Sequence, residues 1–167
     1  MSDRGQAAGA VGREIERKFL VRPGSLPFDL ATCPAETVVQ GYLAQDPDGN
    51  EVRVRRKGSR CFLTVKSRGG LVRQEVELEL TDGQFRSLWP LAAGRALTKT
   101  RYRVPVSGAT LEVDVYTGTL EGLVIAEAEF ASEEESRAFA PPSWLGRELT
   151  EDRRYRNESL ATHGLPG

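Results

Sequence analysis

Along most of this chain polar and apolar residues alternate with a period of two. In an extended strand, side chains two apart point the same way. Glu14, Glu16 and Lys18 therefore share one face, with Ile15, Phe19 and Val21 on the other. The pattern recurs downstream. Arg53 and Arg55 alternate with Val52 and Val54, and Glu75, Glu77 and Glu79 with Val76, Leu78 and Leu80. Lys99, Arg101 and Arg103 follow, then Glu112 and Asp114 between Leu111, Val113 and Val115, then Glu127 and Glu129 before Phe130. Extended segments are predicted at about 14–21, 37–44, 51–57, 61–67, 72–80, 99–104, 110–116 and 123–130. Asp46-Pro47-Asp48-Gly49-Asn50, Gly58-Ser59, Gly69-Gly70 and Ser107-Gly108 read as tight turns, which make the flanking strands antiparallel neighbours.

Helical signals are few. Thr81 and Gln84 have capping-box spacing ahead of Phe85, Leu88 and Trp89, and Ser132 with Glu135 repeats it before Pro141-Pro142. Thr150 is expected to cap a last helix running to about Thr162. Phe85, Trp89, Phe139 and Trp144 are expected to pack helices and loops onto the sheet. The expected fold is mainly β with some α: an eight-stranded antiparallel closed barrel, a tunnel with an ionic lumen, its outside covered by the helices.

A sheet with one dry and one wet face would also alternate, and for a single strand that is the ordinary explanation. Over the whole chain it weakens, because the polar face is almost entirely ionic, with Lys66 and Arg73 adding to the bases named above. Desolvating so many charges is costly unless they pair or hold a ligand.

Composition narrows the partners. The 167 residues carry 23 basic and 24 acidic side chains, net -1, so the basic excess of a nucleic-acid binder is missing. No apolar run approaches a membrane span. Met1 to Gly12 read as a disordered leader, residues 13–162 as one domain and 163–167 as a tail, and a cytoplasmic location is expected. A homo-oligomer stays open. Cys33 and Cys61 lack metal-site spacing, and His163, the only histidine, falls in the tail. Chemistry must then come from carboxylates, Lys, Arg, Tyr and a bound metal. Carboxylates are hard donors suited to Mg2+ or Mn2+, and Arg forks suit phosphate oxygens. A triphosphate-containing small molecule with its metal fits such a lumen. GxxxxGK[ST] is absent.

Glu14-Ile15-Glu16-Arg17-Lys18-Phe19 resembles the ExExK signature of the CYTH superfamily, the triphosphate tunnel metalloenzymes. The likeness continues through Gln40-Gly41-Tyr42-Leu43, Arg53-Val54-Arg55, Leu63-Thr64-Val65-Lys66, Arg73-Gln74-Glu75-Val76-Glu77 and Lys99-Thr100-Arg101-Tyr102. It runs on through Glu112-Val113-Asp114, Leu123 to Glu129, Trp144-Leu145-Gly146 and Thr150 to Tyr155. Gln40-Gly41-Tyr42 and Trp144-Leu145-Gly146 look closest to the short bacterial inorganic triphosphatases.

The resemblance implies divalent-metal-dependent hydrolysis of inorganic triphosphate inside the tunnel. Class IV adenylate cyclase and thiamine-triphosphatase are the alternatives, with a non-catalytic polyphosphate- or nucleotide-binding module behind them. It further implies Glu14, Glu16, Glu127 and Glu129 as first metal ligands, with Glu77 and Asp114 second. Lys18, Arg53, Arg55, Lys66, Lys99 and Arg101 are the expected phosphate-binding residues, and Tyr42 and Lys99 the catalytic candidates. Tyr42 either accepts a proton, which requires cationic neighbours such as Arg53, or only binds phosphate; a metal-held water is the other candidate base. Glu79 and Glu112 are as well explained by salt bridges, and Arg73 and Arg103 stay undecided. Arg17, Arg56 and Lys57 are expected in solvent. Asp152 and Arg154 either close a tunnel end or pair with each other.

Overall fold

Alternation becomes a closed wall in the computed structural model, which describes residues 10–69, 71–106 and 108–167. The strands are β1 (Ala10–Val21), β2 (Ala35–Gln45), β3 (Glu51–Lys57), β4 (Arg60–Lys66), β5 (Val72–Leu80), β6 (Ala96–Val106), β7 (Ala109–Tyr116), β8 (Val124–Glu129) and β9 (Leu145–Glu148). The helices are α1 (Asp82–Leu88), α2 (Glu133–Ala138) and α3 (Asn157–His163). Neighbours run β5-β4-β3-β2-β6-β7-β8-β1-β9, and β1 also pairs with β5, so the first eight strands close into an antiparallel barrel. No described helix is long and apolar enough to cross a membrane.

β1 carries the closure. Its first half, Ala10 to Ile15, pairs with β5, and its second half, Glu16 to Leu20, with β8. β9 takes the edge that β5 leaves, opposite Phe19 and Val21. This ninth strand is not among the expected segments, because four residues are too few to show a period. β1 also starts at Ala10, inside the expected leader; residues 1–9 lie outside the described residues, as do Gly70 and Ser107 of two expected turns.

Outward side chains form two apolar layers. Phe19, Val104, Leu111, Val113, Ala126 and Ala128 are covered by Leu26, Phe28, Leu30, Phe139 and Trp144. Val54, Cys61 and Phe85 are joined by Leu63, Leu80, Leu88 and Trp89 under α1. The Thr81 capping box forms, its hydroxyl accepting from Gln84 N while the Gln84 side chain accepts from Thr81 N. Gly41 is required for this packing: a Cβ there would stand 2.6 Å from Ala92 Cβ and 3.1 Å from the Trp89 ring.

Inward positions turn apolar at one end of the barrel. Leu20, Leu97, Tyr116 and Ile125 share the parity of the charged residues, yet cluster with Leu160 of α3. Burying a leucine side chain is worth roughly 1.5–3 kcal/mol, so α3 is held as a floor. The last helix does not start at Thr150. That hydroxyl accepts from Lys18 N instead (3.1 Å), Asp152 caps a short 3-10 turn at Arg153–Tyr155, and α3 begins at Asn157.

Candidate active site

The barrel interior holds a cavity of about 210 Å³, lined from β1 by Glu14, Glu16 and Lys18 and from β2 by Gln40. β3 contributes Arg53, Arg55 and Lys57, β4 Lys66, β5 Glu75 and Glu77, and β6 Lys99 and Arg101. Glu112, Glu127, Glu129 and, from α3, Asn157 complete it. All the expected phosphate-binding residues and five of the six expected metal ligands therefore face one space. Asp114 stands behind it, fully buried.

Register explains the convergence. Glu16 is opposite Glu129 and Lys18 opposite Glu127 across β1–β8; Tyr42 is opposite Arg53 and Gln40 opposite Arg55 across β2–β3. Lys57 has the same parity as Arg53 and Arg55, so it faces inward and is only partly exposed, not solvated as expected. The parity signal was available. Asn157 carries none, because it reaches the lumen from a helix; its Oδ1 accepts from Tyr116 Oη at 2.6 Å. Arg17 and Arg56 lie outside: Arg17 binds Glu148 with two hydrogen bonds and the Ser136 and Phe139 carbonyls, and Arg56 pairs with Asp82. Asp152 accepts from Arg154 and Arg147.

One stretch of the wall is internally neutralised. Asp114 Oδ1 accepts from Arg101 Nε at 2.7 Å, and its Oδ2 from Lys99 Nζ at 2.5 Å and Arg101 Nη2 at 2.7 Å. Arg101 also binds Glu127 at 2.7 Å and Glu112. Lys18 links Glu127 (3.0 Å) to Glu16 (3.1 Å). Both Asp114 oxygens thus fix two cations, Lys99 and Arg101.

Elsewhere the charges are less satisfied. Lys66 serves both Glu14 and Glu75, and Arg55 holds Glu77 at 2.5 Å. The Nε atoms of Arg53 and Arg55 are buried without a hydrogen-bond partner. Burial, and Arg53 beside it, lower the Arg55 pKa. Glu129 is pushed the opposite way from a paired carboxylate: burial raises its pKa, and so do Glu14, Glu112, Glu16 and Glu75 around it. The lumen thus has guanidinium donors short of an acceptor and, in Glu129, a carboxylate without an ion pair among the described residues. Hard oxygen donors of this kind fit a divalent metal. Among the described residues no three side chains form a ready-made metal cage.

The two catalytic candidates differ. Burial lowers the Lys99 ammonium to about 8, with Asp114 opposing and Arg101 reinforcing the shift. Tyr42 is buried, and Gln40 Nε2 donates to its hydroxyl at 2.7 Å. Burial and Glu51 push this phenol well above its ordinary value despite Arg53. A proton acceptor needs the opposite shift.

Residues 12–164 match the CYTH domain. An inorganic triphosphatase of Nitrosomonas europaea is 46% identical over 150 residues, covering 89% of this chain and 96% of that protein. One from Acetivibrio thermocellus is 39% identical over 154 residues, covering 90% and 94%. A crystal structure of an inorganic triphosphatase aligns with TM-score 0.68 and 42% identity, covering 92% of this chain and 97% of its own. A protein from Pyrococcus furiosus, 22% identical, shares the fold with TM-score 0.57 over 75% of this chain and 84% of its own.

Proposed function

We infer the function from a plain premise: this chain belongs to the CYTH domain family. It is a metal-dependent triphosphatase that hydrolyses inorganic triphosphate inside its barrel. The observation that carries this is the paired deficit in the lumen, unspent Arg53 and Arg55 donors together with mutually repelling carboxylates around Glu129. A metal–triphosphate supplies the acceptor and the cation at once.

We propose Glu14, Glu16 and Glu129 as the residues that hold Mg2+ or Mn2+, the first two now paired with Lys66 and Lys18, with Glu77 and Glu127 beside them. When bound, the metal neutralises charge on the phosphate oxygens. Arg53 and Arg55 grip phosphate oxygens through guanidinium donors, and Lys18, Lys66 and Arg101 add point charges and further donors. Asp114 fixes Lys99 and Arg101 in position. Water attacks a terminal phosphorus as the bridging P–O bond breaks, and pyrophosphate leaves with the bridging oxygen. The proton lost by the water passes to Lys99, which is partly neutral near its shifted value of about 8. Tyr42, kept neutral, is buried behind the cavity lining with its hydroxyl held by Gln40.

The test is a panel of tripolyphosphate, ATP, thiamine triphosphate and pyrophosphate, each with Mg2+ and with Mn2+, read for phosphate release and cyclic AMP. Tripolyphosphate should be fastest. Dominant cyclic AMP formation from ATP would overturn the hydrolase.

A further inference from the structure

The lumen ends at its apolar floor, where Leu20, Leu97, Tyr116 and Ile125 meet Leu160 of α3. One polar side chain stands at that floor. Of the residues lining the cavity, all but Asn157 come from barrel strands, and all but Gln40 and Asn157 are charged. Gln40 Nε2 already donates to the Tyr42 hydroxyl. Asn157 Nδ2 donates to no described residue.

Asparagine is favoured at helix caps because its side chain accepts from a free backbone N–H. Here the cap is Arg156, which makes no side-chain cap, and Asn157 is the first residue of α3. Its carboxamide turns to Tyr116 instead, Oδ1 accepting from Oη at 2.6 Å. Tyr116 fixes which end of the amide faces it. Burial, with Asp114 and Glu127 nearby, pushes this phenol well above its ordinary value, so the hydroxyl keeps its proton. A buried hydroxyl proton needs an acceptor. The Asp114 oxygens already accept from Lys99 and Arg101, and those of Glu127 pair with Lys18 and Arg101, which leaves Asn157 Oδ1. With Oδ1 held there, Nδ2 is the end of the amide left for the lumen.

Tyr116 also sets what stands beside that donor. It is opposite Lys99 across β6–β7, and Lys99 Nζ lies 5.4 Å from the centre of its ring. Asn157 and the proposed proton acceptor thus flank one phenol. A neutral donor suits the place, because an amide costs less to set against leucines than a further cation would. We infer that Asn157 is a substrate-binding residue, whose Nδ2 donates to an oxygen of the terminal phosphate at the floor and holds the attacked phosphorus beside Lys99. The inference rests on the triphosphatase function proposed above.

Its test begins with binding, without turnover. Imidotriphosphate, a non-hydrolysable analogue, is titrated calorimetrically with Mg2+ into wild type and two variants. Asn157→Ala deletes the donor without adding charge, and should weaken binding about ten-fold. Asn157→Asp keeps an oxygen for Tyr116 but sets a negative charge where the donor was, so it should weaken binding further. KM for tripolyphosphate should rise in step in both. Relative to wild type at each pH, the Asn157→Asp deficit should shrink as pH falls, because the introduced carboxyl donates again once protonated. A merely structural change would not follow that titration. Wild-type affinity in Asn157→Ala overturns the inference, even if Asn157→Asp misfolds, and so does an Asn157→Asp deficit that ignores pH. Wild type that fails to bind the analogue overturns this inference and the triphosphate grip together. Failure of the hydrolase alone appears as binding without phosphate release from tripolyphosphate.

Discussion

Two stretches of the same lumen use the same residue types to opposite ends. Along β6, β7 and β8, Asp114, Lys99, Arg101 and Glu127 neutralise one another at 2.5–2.7 Å. Around β1 and the end of β8, the carboxylates of Glu14, Glu16 and Glu129 crowd together, and burial with mutual repulsion raises the Glu129 pKa. The first is a scaffold that is complete by itself. The second pairs Glu14 with Lys66 and Glu16 with Lys18 but, among the described residues, leaves Glu129 without an ion pair. Pairing thus separates a stretch whose carboxylates are all matched by cations from one in which Glu129 is not.

The largest expected effect follows from the incomplete side. Exhaustive chelation should reduce phosphate release from tripolyphosphate to background, and added Mg2+ or Mn2+ should restore it. Full turnover after chelation and dialysis would remove the cation from the comparison.

Next come two variants that should move stability in opposite directions. Asp114→Asn leaves Lys99 and Arg101 with an uncompensated buried charge, and should cost about 3–5 kcal/mol in denaturant unfolding. Glu129→Gln removes a repelling charge, so the metal-free protein should keep or gain stability while turnover falls and partly recovers at high metal. The pH sign agrees. A carboxyl whose folded pKa is raised favours folding below its unfolded value and loses that contribution as pH rises through the folded one. Metal-free wild type should accordingly carry a destabilising Glu129 term at neutral pH that the glutamine variant lacks. If Asp114→Asn is the milder change, the two stretches are not distinct.

Much of this comparison was legible in the alternation, because a period of two places Glu14, Glu16, Arg53, Arg55, Glu127 and Glu129 on one face whatever their partners. Which acid neutralises which base was not legible. Pairing depends on register: Arg101 meets Asp114 because β6 and β7 align those two residues. The floor was equally hidden. Leu97, Tyr116 and Ile125 sit at inward positions but look like ordinary strand ends until α3 brings Leu160 against them. The balance at Tyr42 was hidden for a related reason. Arg53 is opposite it as expected, but Glu51 and burial outweigh that cation.

A smaller effect belongs to the guanidinium side. Arg55→Ala should weaken triphosphate binding by about 1.5–3 kcal/mol, seen mainly in KM, because it removes a charged donor whose Nε is unspent in the free protein. Wild-type kinetics in a folded variant would make β3 part of the scaffold.

The smallest effect on the pH profile is expected from Tyr42→Phe, and it is the sharpest test of where the proton goes. Lys99 is lowered to about 8, so its neutral, proton-accepting form grows across the mildly alkaline range. The rate should rise with pH through that region in wild type. Lys99→Arg, whose guanidinium stays protonated, should lose the rise along with most turnover. Tyr42 is pushed the other way, so over the same range it stays protonated, its hydroxyl bonded to Gln40. Its removal should lower turnover a few-fold, in keeping with one neutral hydrogen bond of about 0.5–1.5 kcal/mol, while the alkaline rise keeps its midpoint. A midpoint that moves or vanishes in Tyr42→Phe would transfer the base from the neutralised wall, where Lys99 stands, to the phenol opposite Arg53.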